Sequence, residues 1–123
     1  MAFFLKNMEK SLRLRKNEQF QEVIKSKKSV VNDSFVVYYK LNDLSNVRIG
    51  ISVSKKLGKA VVRNKIKRQV RMMARGVFDE NENIDYIIIV RKKYLNYSYQ
   101  ENLEKLDFLH NKIKKRMESE KCI

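Results

Sequence analysis

Between Lys55 and Arg75 the chain places nine lysines and arginines, KKLGKAVVRNKIKRQVRMMAR, without one aspartate or glutamate. Ammonium and guanidinium groups at this density suit one kind of chemistry. They neutralise phosphates, and each phosphate neutralised releases condensed counterions, so affinity falls steeply with added salt. The whole sequence holds 28 basic and 14 acidic residues for a net charge of +14, yet outside this window the balance is only 19 against 14. The excess charge is therefore localised. A merely solvated helix face normally interleaves acids for pairing, and none are interleaved here. Arginine adds a planar fork that grips two phosphate oxygens or stacks on a base, which suits folded RNA. A polybasic membrane contact would need an apolar anchor, and the nonpolar stripe of this segment is committed to a core.

Other chemistries find little material. The only histidine, His110, falls in a helical stretch near the C-terminus with no sequence partner for a base or a ligand set, so it is expected to be a packed or exposed helix residue. The sequence lacks a paired-histidine zinc motif, a nucleophile elbow and a Gly-rich phosphate loop. Asp79, Glu80, Glu82 and Asp85 form one acidic cluster, expected to be solvated turn chemistry rather than a metal cage. No catalytic residue and no metal ligand is assigned. The lone Cys122 can form no internal bridge, which fits a reducing compartment, and no apolar run reaches the length of a signal peptide or membrane helix. A cytoplasmic protein is the expectation.

The elements that must carry the basic run follow from periodicity. At 123 residues with 43% hydrophobic content and 12 aromatic residues, one folded domain is expected over 1–123, with 1–11 and 118–123 as flexible tails. Asn17-Glu18 reads as a helix start, with Phe20, Val23 and Ile24 at helical spacing up to about Lys27. Ser29 to Val31 reads as a short strand, Asn32-Asp33 as a turn, and Phe35 to Leu41 as a strand with rings on both faces. After the polar turn at 42–46, Val47 to Val53 alternates strictly, with Val47, Ile49, Ile51 and Val53 facing one way. A hairpin between these two strands is the economical expectation. Gly50 leaves the opposite face open to close approach.

From about Lys59 to Val77 the period is helical. Val62, Ile66, Val70, Met73 and Val77 predict the buried stripe, beside an arc bearing Arg63, Asn64, Lys67, Arg68, Arg71 and Arg75, and Gly76 near the end, then Asp79 to Asn83, marks a stop and an acidic turn. Asp85 to Val90 is a nearly continuous apolar run, which predicts an interior strand lying parallel to its predecessor across the intervening helix. A last helix is expected from about Ser98 to Met117, its apolar side carrying Leu103, Leu106, Leu109 or His110, and Ile113, with Glu101 and Lys105 as a supporting pair.

The string Arg48-Ile49-Gly50-Ile51-Ser52-Val53-Ser54-Lys55-Lys56-Leu57-Gly58, followed by Ala60-Val61-Val62-Arg63-Asn64-Lys65-Ile66-Lys67-Arg68 and Arg71, resembles the protein subunit of bacterial ribonuclease P. The likeness extends from about Leu12 to Lys115 through Lys16-Asn17-Glu18, Phe20, Phe35 to Tyr38 and Asp85 to Arg91. Two departures stand out. The family's Arg-Asn-Arg reads Arg63-Asn64-Lys65, which keeps the charge but loses a fork, and Ile24 stands where relatives often carry an aromatic ring.

This resemblance implies an α+β, two-layer sandwich. It would hold about four strands and three helices in the order α-β-β-β-α-β-α, with a left-handed β-α-β crossover where the general rule favours a right-handed one. It implies that a partner RNA carries the catalytic centre and that the holoenzyme removes the 5′ leader of precursor tRNA. Mg²⁺ would be held mainly by that RNA, with none tightly bound to the protein. Lys55, Lys56, Arg63, Asn64, Lys65, Lys67, Arg68 and Arg71 would then face the catalytic RNA. Phe20, Ile24, Val36, Tyr38 and Lys40 would line a cleft for the single-stranded leader. On the residues alone two other classes stay open: a ribosomal or general structured-RNA binder without a processing role, and a protein-only nuclease.

Overall fold

In the computed structural model, residues 17–44 and 46–121 are described. Three helices of more than two turns and four strands follow one another among them: α1 (Asn17–Lys25), β1 (Ser29–Val31), β2 (Phe35–Leu41), β3 (Arg48–Val53), α2 (Ala60–Val77), β4 (Ile84–Val90) and α3 (Tyr99–Lys121). Short 3-10 turns at Lys55–Leu57 and Lys92–Asn96 lead into α2 and α3. The order is the expected one. The tail residues 1–11 and 122–123, with Cys122, lie outside the described residues, as do the side chains at Asn17 and Glu18. Residues 118–121, expected as tail, continue the last helix.

The sheet is mixed, in the order β1-β2-β4-β3. β4 runs antiparallel to β2 and parallel to β3, so the expected hairpin between β2 and β3 does not form. The reason lies in β4 itself. Every residue from Ile84 to Ile88 is buried, as is Val90, and a strand apolar on both faces gains most from a central position with neighbours on each side. An alternating strand such as β3 tolerates the edge, and it is displaced there.

The two faces of the sheet have different covers. Tyr86, Ile88, Phe35, Val37, Ile49 and Val53 pack with Ile66, Val70 and Met73 of α2 and with Leu106, Leu109 and Ile113 of α3, making the main core. On the other face, Ile87 meets Val23 of α1, with Phe20, Ile24, Tyr38 and Ile89 half-buried around them. The sandwich thus carries one short helix on its second face.

Helix ends follow local chemistry. α3 starts in a reciprocal cap, in which Glu101 Oε1 accepts from the Ser98 amide and Ser98 Oγ accepts from the Glu101 amide. Glu101 is therefore a capping residue as well as a charge partner of Lys105, whose ammonium lies 4.2 Å over the Tyr97 ring. α2 ends at Val77 as expected, with Gly76 in its last turn, and the chain leaves the helix at Phe78 in extended conformation, with the Phe78 amide still donating to Ala74 O.

Candidate nucleic-acid interface

The basic run folds into a 3-10 turn, a sharp bend and a long helix. Gly58 makes the bend at φ 140, a conformation that residues with a Cβ rarely adopt, and an added Cβ would sit 3.3 Å from Val62. The bend presents Lys55 and Lys56 beside the first turn of α2. That turn carries no acid and no side-chain cap, and its N-cap is Lys59. Cations here oppose the helix dipole, at roughly 0.3–1 kcal/mol each near a surface, where an aspartate or serine would stabilise. Free amides at a helix start together with three lysines make a pocket of positive potential that an anion would relieve.

Along α2, Ile66, Val70, Met73 and Ala74 are buried and anchor the helix. Val62, predicted for that stripe, is instead 38% exposed, because it sits at the bend before the helix reaches the sheet, and Val77 is half-buried. The cations divide into two ranks. Arg63, Lys67 and Arg71 are half-buried, while Lys65 and Arg68 are exposed, as are Lys55, Lys56 and the neutral Asn64. All eight predicted residues thus belong to one turn-and-helix unit. Val61 and Met72, exposed by 80% and 60%, share its outer side, and sequence reading missed them because apolar residues were assigned inward.

The second predicted group assembles on the α1 face. Register places Tyr38 opposite Ile87 and Val36 opposite Ile89, so the four side chains share one face beneath α1. Phe20 and Ile24 reach this floor from the helix, and both stay half-buried, as do Val36 and Tyr38. Lys40 stands at one end, its ammonium 3.7 Å from Glu22 of α1 in an exposed pair. Such a pair contributes little and opens readily. Ile89, which sequence reading did not select, completes the floor, and Val31 extends it to the sheet edge with 54% exposure. The facing of β4 residues could be assigned only once its register was known.

The acidic cluster is not solvated turn chemistry throughout. Asp85 is buried and takes a two-pronged contact from Arg48, Nε donating to Oδ1 at 2.9 Å and Nη2 to Oδ2 at 2.6 Å, with Asn42 Nδ2 donating to Oδ1 at 2.8 Å. Glu82 accepts from Tyr86 Oη at 2.7 Å and from the Asp79 amide at 3.0 Å, and its Oε1 lies 3.0 Å from His110 Nε2. Burial alone would raise the Glu82 carboxyl, but the hydrogen bonds from His110, Tyr86 and Asp79 together hold it below its ordinary range. His110 is packed, as expected, edge-on to Phe78 and Tyr86. Among the described residues no group of three or more His, Cys, Asp or Glu side chains could hold a metal ion. No described helix is long and apolar enough to cross a membrane.

Comparison with known proteins gives a consistent result. A family model described as "Ribonuclease P" matches residues 8–114. The ribonuclease P protein component of Mycoplasma mycoides subsp. mycoides is 51% identical over 88 residues, covering 70% of this chain and 81% of that protein. Among solved structures, the Staphylococcus aureus RNase P protein superposes with a TM-score of 0.78 at 38% identity, covering 85% of this chain and 97% of its own. The Thermotoga maritima protein gives 0.70 at 36% identity, covering 80% and 96%.

Proposed function

The chain belongs to the bacterial ribonuclease P protein family, whose role is tRNA 5′ processing, and from that premise we propose how its two surfaces divide the work. Its partner is the ribonuclease P RNA, which carries the bond chemistry and holds the Mg²⁺ ions. The ions would supply a hydroxide nucleophile and stabilise the leaving oxygen when bound to the RNA.

Lys55, Lys56, Arg63, Asn64, Lys65, Lys67, Arg68 and Arg71 dock on the backbone of that RNA. The observation that carries this reading is the acid-free start of α2, where lysines stand against the helix dipole in a place that only an incoming anion makes favourable. Phe20, Ile24, Val36, Tyr38 and Lys40 receive the single-stranded leader of precursor tRNA. Tyr38 and Phe20 offer ring faces to successive bases without demanding a sequence, while Ile24 and Ile89 add apolar contact. Holding catalytic RNA and leader on one rigid domain screens their repulsion and fixes the scissile bond near the active centre, which is a gain in positioning.

Cleavage of precursor tRNA by the purified chain alone, by the RNA alone and by both at low Mg²⁺ tests the division of labour. Joint stimulation with no activity of the chain alone is the expected outcome. Activity of the chain alone would make it a protein-only nuclease, and binding without stimulation would make it a general structured-RNA binder. For the cleft, Tyr38→Ala should weaken precursor binding by about 1–3 kcal/mol, roughly 5- to 150-fold, and leave mature tRNA unaffected. Equal loss for both substrates refutes the leader assignment.

A further inference from the structure

A groove of about 570 Å³ opens where the C-terminal half of α3 crosses the β1 edge of the sheet. Lys27 and Lys28 stand on one wall and Lys112, Lys115 and Arg116 on the other, with the buried Tyr39 between, and none of the described residues lining it is acidic. Lys112, Lys115 and Arg116 share one side of α3 by their spacing of three and four residues. Glu118 lines a different groove, beside Leu41 and Glu82.

Both walls are held in place. Arg116 Nη1 donates to Ser29 O at 2.8 Å. Ser26 Oγ lies 2.6 Å from Val23 O and 3.1 Å from Tyr39 O, and the Tyr39 amide donates to Lys28 O at 3.1 Å, which fastens the 26–28 turn to β2. Lys27 is held at φ 58, a left-handed conformation uncommon for any residue with a side chain and a frequent mark of functional turns.

The position of the groove gives it meaning. β1 and β3 are the two edges of the sheet, three strand spacings or about 14 Å apart, and the basic helix follows β3. The cleft beneath α1 spans the strands between. Ser29, which lines the groove, is the register partner of Tyr38 of the cleft, so cleft and groove adjoin on the two faces of the sheet at its β1 edge. On the proposed docking of the catalytic RNA on the basic helix at the β3 side, a leader that enters the cleft from that side would leave it over β1.

We infer that the groove binds the phosphate backbone of the leader nucleotides farthest from the cleavage junction, beyond those that stack in the cleft. This rests on the leader-cleft reading above and extends the binding path around the sheet edge. The cleft reads bases by stacking, and the groove reads only charge, so it is indifferent to sequence and sensitive to leader length.

The test uses the assembled holoenzyme carrying Lys112→Gln together with Lys115→Gln, and separately Lys27→Asn, which alters the opposite wall with a residue that accepts the left-handed backbone. Each is titrated with mature tRNA and with precursors whose leaders are trimmed from the 5′ end one nucleotide at a time, across a salt series. With long leaders the double variant should bind about tenfold more weakly, and the slope of log affinity against log salt should flatten by about 0.7 for each cation removed. The shortest leaders and mature tRNA should bind as before. Loss of equal size at every leader length, no loss with long leaders, or weakened binding of the catalytic RNA alone would each overturn the inference. Failure of the cleft reading looks different, since Tyr38→Ala would then weaken precursor and mature tRNA alike whatever the groove variants do.

Discussion

Replacing Arg48 by methionine should cost this fold more than removing any exposed cation of the basic helix. The Arg48 and Asp85 side chains are only 22% and 7% exposed, they meet through two hydrogen bonds, and they are register partners at the start of the parallel β3–β4 pair. Removing one member of a buried ion pair costs about 3–5 kcal/mol, because the other charge is left without compensation. Partial exposure of Arg48 lets water reach the site, and Asn42 keeps one hydrogen bond to Asp85, so about 2–4 kcal/mol is the expected loss. For a domain of this size each kcal/mol is about 4 °C in Tm, which gives a drop of about 8–16 °C by circular dichroism. The double variant Arg48→Met/Asp85→Leu removes the stranded charge and should recover much of that loss. A single variant that loses under about 1 kcal/mol, or a double variant less stable than the single, would refute the claim that the cost comes from leaving the Asp85 charge uncompensated.

Three further substitutions probe other links. Glu82→Gln removes a carboxylate whose folded pKa is depressed, so its stabilising effect is present above the ordinary value of 4.5 and lost as pH falls from there through the folded value. Unfolding followed against pH should show a shallower acid loss in the variant, and parallel curves would remove Glu82 from the account. Lys65→Arg restores a planar fork on the exposed side of α2 and should tighten binding to the catalytic RNA by about 1 kcal/mol, or roughly fivefold, in a filter or mobility assay; unchanged affinity would mean that this position makes only a point-charge contact. Gly58→Ala should destabilise by about 1–3 kcal/mol and weaken RNA binding although no charge changes, since φ 140 and the 3.3 Å approach to Val62 force the bend to shift. Full stability and full affinity together would show that the bend does not position the basic run.

Elements were legible in the sequence where the pattern is local, and pairing was not. Seven elements appear in the expected order because each has its own periodicity, from the alternation of Val47 to Val53 to the three-and-four spacing of Ile66, Val70 and Met73. The hairpin expected between β2 and β3 conflicted with another expectation, that β4 is interior and parallel to β3. Both cannot hold in a four-stranded sheet whose first pair is β1-β2, since a hairpin would leave β4 at an edge. Burial of both faces of Ile84 to Val90 outweighs the convenience of a short connection, and the order β1-β2-β4-β3 results. The end of α2 at Val77, legible from Gly76 and the polar run after it, is reinforced by Phe78, which buries against Tyr86 and His110.

The site divides along the same line. The basic run was plain because it is contiguous and because it breaks a local rule, placing lysines at a helix start that favours acids. Sequences depart from local preference mostly where a function requires it, so the violation itself is informative. The cleft is less visible, since Tyr38 and Ile87, or Val36 and Ile89, become neighbours only when β4 inserts beside β2. The groove at the β1 edge is less visible still. Lys27 and Lys115 are far apart in sequence, and nothing local marks either as part of a cationic surface until α3 crosses the sheet edge. A protein that must hold two RNAs needs both kinds of surface. The contiguous one can be strongly charged because the buried side of α2 fixes it, while the composite one gathers its charge from separate elements and so avoids concentrating like charges within any one of them.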